Sequence, residues 1–128
     1  MTYFISGQIK ITKEEFDSLY APKIEKIINS DTACIFVIGD CIGVDFMAQK
    51  YIAQRGFASR VVVYHMFEKP RNLADGITNL VGGFQSDEER DAAMTADSDF
   101  DIAFYKRKKS GTEQNIIRRH YTKYKPAK

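Results

Sequence analysis

Three short stretches of this chain combine glycine with hydroxyl or carboxyl side chains in a way that suits recognition of anions and sugars. They are Ser6-Gly7-Gln8, Gly39-Asp40-Cys41-Ile42-Gly43-Val44-Asp45 and Ser110-Gly111-Thr112. Glycine lets a backbone approach a phosphate with no Cβ in the way. The first turn of a helix presents unpaired N–H groups and a partial positive charge. Gly7, Gly39, Gly43 and Gly111 are therefore candidate phosphate contacts, with Ser6, Ser110 and Thr112 supplying hydroxyls. The plainer account of each glycine is that it only forms a turn. Asp40 and Asp45 are anions beside such a site, which suits them to ribose hydroxyls rather than phosphate. Asp45 also has a structural use, in the first turn of a helix. Arg90 is either a surface residue or a phosphate clamp, for which its planar fork is suited. If the chain is an enzyme, Asp40, Asp45 and Glu113 are the carboxylates available to cleave or transfer an N-glycosidic bond. Glu113 has a simpler use, as the capping partner of Ser110.

The elements that would position these residues follow from periodicity. Residues 3–6 form a short apolar strand ending at Gly7. Thr12-Lys13-Glu14-Glu15 is a capping box, followed by Phe16, Leu19, Tyr20, Ile24, Ile27 and Ile28 at helical spacing. Pro22 divides that helix and opens its second piece. Residues 33–38 are continuously apolar, as in a strand buried on both faces. Val44, Met47, Ala48, Tyr51 and Ile52 mark the next helix, closed by Gly56. Residues 61–64 are a β-branched strand. Residues 67–85, broken by Pro70, Gly76, Gly82 and Gly83, read as a long connection. Ser86-Asp87-Glu88-Glu89 is a second capping box before a helix to about Ala96, and residues 101–105 are a strand. A last helix starts at Ser110, with Ile116 and Ile117 on its buried side.

Strands alternating with helices predict an α/β, Rossmann-like three-layer sandwich. Its sheet is mostly parallel, of four or five strands, with helices on both faces. Four strands would pair in the order 3-2-1-4, and a fifth edge strand after His120 is left open. In a parallel sheet every strand C-terminus lies on one edge. The three glycine turns should converge there, beside the reversal of strand order between the first and fourth strands.

Bulk properties limit the alternatives. A chain of 128 residues fits one domain, read as residues 1–120 with a basic tail at 121–128. No apolar run reaches the length of a membrane span, and no signal-peptide pattern opens the chain, so a cytoplasmic location is expected. Cys34 and Cys41 make no C-x-x-C pair and have no histidine cluster beside them. This speaks against a metal site or disulfide framework, and no cofactor is implied. Cys34 reads as strand core, and Cys41 as a small hydrophobe in a turn.

The net charge of +2 is unevenly spread. Residues 1–105 carry ten Lys/Arg against sixteen Asp/Glu, while residues 106–128 carry nine against Glu113 alone. A solvated tail is the simpler account of that basic end. A nucleic-acid contact through Lys106 to Lys109, Arg118, Arg119, Tyr121 and Tyr124 would suit single strands, but the acidic body argues against it. Apolar residues at the ends of the first and last helices are equally suited to the core or to a homo-oligomer contact.

Gly39-Asp40-x-x-Gly43-Val44-Asp45-x-x-Ala48 resembles the G-x-x-x-G-x-D-x-x-A segment of the SLOG superfamily. That group includes the "lonely guy" phosphoribohydrolases and the DNA-processing protein A family. Ile5-Ser6-Gly7 is similar to its first-strand S-G. Glu89-Arg90-Asp91-Ala92-Ala93-Met94 is similar to its E-R-x-x-x-M helix. Ser98-Asp99 and the approach to Ser110-Gly111-Thr112 are similar to its final S-D…G-T signature. The likeness runs in order over roughly residues 3–118 and is nearest to small stand-alone bacterial and phage members. It implies a Rossmann-like fold and a nucleotide-type ligand, such as a nucleotide sugar or an ADP-ribose-like molecule. It does not carry over the hydrolysis. The hydrolases' P-G-G is replaced by Lys108-Lys109-Ser110, their glutamate by Asn115, and the lysine after their arginine by Asp91.

Overall fold

The computed structural model describes residues 1–104. The last helix, Ser110, Gly111, Thr112, Glu113, the basic tail and the optional strand after His120 lie outside them. Five strands form one sheet: β1 (Thr2–Ser6), β2 (Ile35–Ile38), β3 (Val61–Met66), β4 (Asn79–Phe84) and β5 (Phe100–Ala103). The helices are α1 (Lys13–Leu19), α2 (Ala21–Ser30), α3 (Val44–Gln54) and α4 (Asp87–Ala96). The sheet order is β4-β3-β2-β1-β5 and every pairing is parallel. The expected order of four strands is present, with β4 added outside β3.

Two packed layers explain the apolar pattern. Ile5, Phe36, Ile38, Val61, Val63 and Ile102 face α1, α2 and α3, where Phe16, Tyr20, Ile24, Val44, Ala48 and Ile52 close the core. Alternate residues Phe4, Val37 and Tyr64 face the other way and pack on Met94 of α4. Strands buried on both faces lose the in–out alternation, and hence residues 33–38 read as a continuous apolar run. Cys34 is fully buried at the foot of β2. Among the described residues no helix is long and apolar enough to cross a membrane.

The caps bear out the boundaries with small shifts. Thr12 makes both halves of its capping box with Glu15. Ser86 accepts from the Glu89 N–H, but the Glu89 carboxylate reaches back to the Gln85 N–H rather than to Ser86. Tyr20 separates α1 from α2, and Pro22 stands second in α2 rather than first. Leu19 faces solvent instead of joining the buried stripe.

The main correction is β4, which lies inside the stretch read as a connection. Residues 79–83 are exposed and include two glycines, so neither an alternation nor an apolar run marks the strand. Gly82 is needed there because a Cβ would strike the buried His65 ring. Gly83 has φ +89°, which favours glycine.

Candidate functional site

β1, β2 and β4 all deliver the chain at the C-terminal edge of the sheet, where α1, α3 and α4 begin. The first two glycine turns meet as expected. The Val44 N–H donates to the Gln8 carbonyl at 3.1 Å, and Gly43, at φ +87°, packs on the Gln8–Ile9 backbone. The missing Cβ of Gly7 makes room for the Tyr20 hydroxyl and Val44. A Cβ on Gly39 would lie 2.6 Å from Asp45 Oδ2 and 2.9 Å from Arg90 Cζ. These contacts account for all three glycines through the protein's own packing.

β1 lies between β2 and β5, the point where strand order reverses. Tyr20 fastens it. Its hydroxyl donates to the Ser6 carbonyl at 2.7 Å and accepts from the Phe104 N–H at 3.1 Å. Its ring stacks on Phe16 and meets Phe104 edge-on. Burial pushes the phenol up to about 12, so it stays a donor. In the same turn the Ser6 hydroxyl and the Gln8 side-chain amide nitrogen are buried with no hydrogen-bond partner among the described residues. Only Thr95 shares that condition there. Native proteins leave few such groups, because each costs about 1–3 kcal/mol when buried and unpaired.

The β2 end of the edge is built differently. Asp40, fully buried, accepts from Arg90 Nη1 at 2.7 Å. It also accepts from Arg71 Nη2 at 2.8 Å, from Arg71 Nε at 3.2 Å and from the Arg71 backbone N–H at 2.9 Å. Burial opposes its charge, but Arg71 and Arg90 hold the carboxyl down at about 2. Arg90, 4% exposed, also pairs with Asp91 at 2.8 Å and Asp87 at 3.2 Å. Asp45 accepts from the Cys41 N–H at 3.1 Å. Its burial pushes the carboxyl up to about 7 against the pull of Arg90. Burial and Asp45 push the Cys41 thiol up as well, in keeping with a small hydrophobe rather than a reactive thiolate.

Asn72 donates to the Asp40 carbonyl at 3.0 Å, and Gln49 bridges Gly39, Asn72 and Ala74. The segment from Arg71 to Ala74 is thus strapped across β2. Four carboxylates (Asp40, Asp45, Asp87 and Asp91) surround two guanidiniums, so this end is net acidic and its arginines are already engaged. Among the described residues no group of three or more His, Cys, Asp or Glu side chains is placed to hold a metal.

Sequence reasoning singled out Asp40, Asp45 and Arg90, which the fold brings together. It missed Arg71, Tyr20 as a clasp, and Gln8 as an orphaned donor. Arg71 lies between Pro70 and Gly76 with no periodic signal around it, so only the fold shows its reach to Asp40. Comparisons of the chain with protein-family models, with curated proteins and with solved structures gave no match. The fold is that of an α/β domain with an open sheet, all-parallel among the described residues, and a strand reversal at β1, between β2 and β5.

Proposed function

We propose that this domain binds a nucleotide or nucleotide-derived ligand, such as a nucleotide sugar or an ADP-ribose-like molecule, at the C-terminal edge of its sheet. The observation that carries this reading is the pair of donors, Ser6 hydroxyl and Gln8 amide, that are buried at the strand reversal with no partner among the described residues. Open parallel sheets characteristically take ligands at that point. The strap covers Asp40 at the β2 end, so the ligand belongs nearer β1, between the Ser6–Gln8 turn and the first turn of α3, which carries Asp45. The side chains of Ser6 and Gln8 would meet its phosphate or sugar oxygens, with Gly7 holding the turn between them against Tyr20 and Val44. Ser110, Gly111 and Thr112, which follow β5 in sequence, are proposed as further contacts. Asp45 is the candidate for a ribose hydroxyl, while Asp40 and Arg90 shape the floor through each other. A cytoplasmic protein with a small-molecule partner fits this reading.

Isothermal titration of the full chain with AMP, ADP-ribose and a cyclic dinucleotide tests it. Binding of one of them, weakened about tenfold by Ser6→Ala, is expected from the loss of one hydrogen bond. Folded protein that binds none of the three would refute it.

One observation favours a second reading, an N-glycosidase, phosphoribohydrolase or deoxyribosyltransferase acting on nucleotides. Asp45 is a buried carboxyl poised near neutrality, the range in which general acids and bases work. Release of free base from a nucleoside monophosphate, abolished by Asp45→Asn, would select it over simple binding.

A further inference from the structure

Parallel strands are ordinarily covered on both faces, and β4 is not. Its neighbours Leu80 and Val81, which point to opposite faces, are 43% and 38% exposed. Its outer edge has no partner strand among the described residues. Natural proteins blunt such edges with charge or proline. From Ile77 to Ser86 this chain has neither. The other edge contrasts with it: β5 carries Asp101 after Asp99, and its residues are half-buried or buried. Phe67, 55% exposed, is tied to the end of β4. Its N–H donates to the Phe84 carbonyl at 2.9 Å, and the Gly83 N–H donates to its carbonyl at 2.8 Å. Two of the nine exposed large hydrophobic residues among those described therefore lie on this edge strand, with Phe67 at its end on the β3 side.

We propose that β4 is a self-association edge, pairing antiparallel with β4 of a second copy about a two-fold axis and joining the two sheets into one. A second copy is the occupant that the charge pattern selects. An uncharged strand meets itself with no like charges opposed, whereas pairing with β5 would set Asp101 against apolar side chains. Pairing of β4 with itself also closes at two copies, while β4 with β5 would propagate without end. A two-fold axis through Gly82 places Val81 of one copy opposite Gly83 of the other, where a side chain meets open space.

Size-exclusion chromatography with light scattering on the full chain, across a dilution series, tests the proposal. Hydrogen exchange of the 79–84 amides is read in parallel. A concentration-dependent dimer with those amides slowed in it is expected. Leu80→Lys or Val81→Lys, each present twice in a two-fold interface, should raise the dissociation constant about tenfold or more. Both positions are exposed, so circular dichroism should show an unchanged fold. A monomer at every concentration, open-ended oligomers, or a dimer indifferent to both substitutions would overturn the proposal.

Discussion

Asp45→Asn should make the protein more stable above neutral pH. Asp45 is buried on the first turn of α3, and its carboxyl is pushed from 3.8 to about 7. In the unfolded chain it ionises near its ordinary value. Between about pH 4 and pH 7 the folded state therefore binds the extra proton, and stability falls as pH rises through that window. Above it both states are ionised and the penalty is constant. A displacement of that size corresponds to about 4 kcal/mol. Asparagine keeps an oxygen for the Cys41 N–H but adds a donor to be satisfied, which takes back about 1–3 kcal/mol.

The net expectation at pH 8 is a gain of about 1–3 kcal/mol, with the pH slope between 4 and 7 flattened. Urea denaturation followed by circular dichroism across that range measures both quantities. The acid limb serves as an internal control. Asp40 and Glu25 are held down near 2 by their arginine partners, Arg71 with Arg90 and Arg55 respectively. Their contribution is present above the unfolded values and is lost as pH falls toward 2, so wild type and variant should share it. A variant with the wild-type slope from pH 4 to 7, or one less stable at pH 8, would refute the assignment of a buried, nearly neutral Asp45.

Arg90→Met removes the guanidinium that Asp40, Asp87 and Asp91 share. The loss of one partner from a buried pair should cost about 3–5 kcal/mol, seen as a thermal midpoint lower by roughly 10–20 °C. Tyr20→Phe keeps the ring stacking and deletes the clasp between Ser6 and Phe104. It should cost about 1–3 kcal/mol and speed amide exchange at Phe104. A loss under 0.5 kcal/mol, roughly the scale of an exposed substitution, would show that water replaces the hydroxyl.

Some of the candidate site was legible before folding, because its signals are local. Asp40 and Asp45 flank a glycine turn between an apolar strand and an amphipathic stripe. Arg90 follows a cap at Ser86, which the structure keeps although Glu89 turns to Gln85 instead. What those residues touch was not legible. Arg90 offered as a phosphate clamp is 4% exposed and committed to carboxylates. The glycines offered as ligand contacts are filled by Tyr20, Val44, Asp45, Arg90 and the Gln8–Ile9 backbone. β4 stayed hidden because an exposed edge strand with paired glycines carries neither of the periodicities that betray a buried element.

Apart from β4, the sequence alone determined the alternation of elements, the residues that cap them and most of the apolar faces, since each depends on neighbours within a turn or two of chain. It thereby determined the parallel α/β class, whose crossovers follow from that alternation. Only the tertiary structure decided that Arg71 closes over Asp40, that Tyr20 joins the ends of β1 and β5, and that Ser6 and Gln8 find no partner among the described residues. Those facts depend on which strands lie side by side. Strand order brings together residues tens of positions apart, and no local pattern encodes that separation.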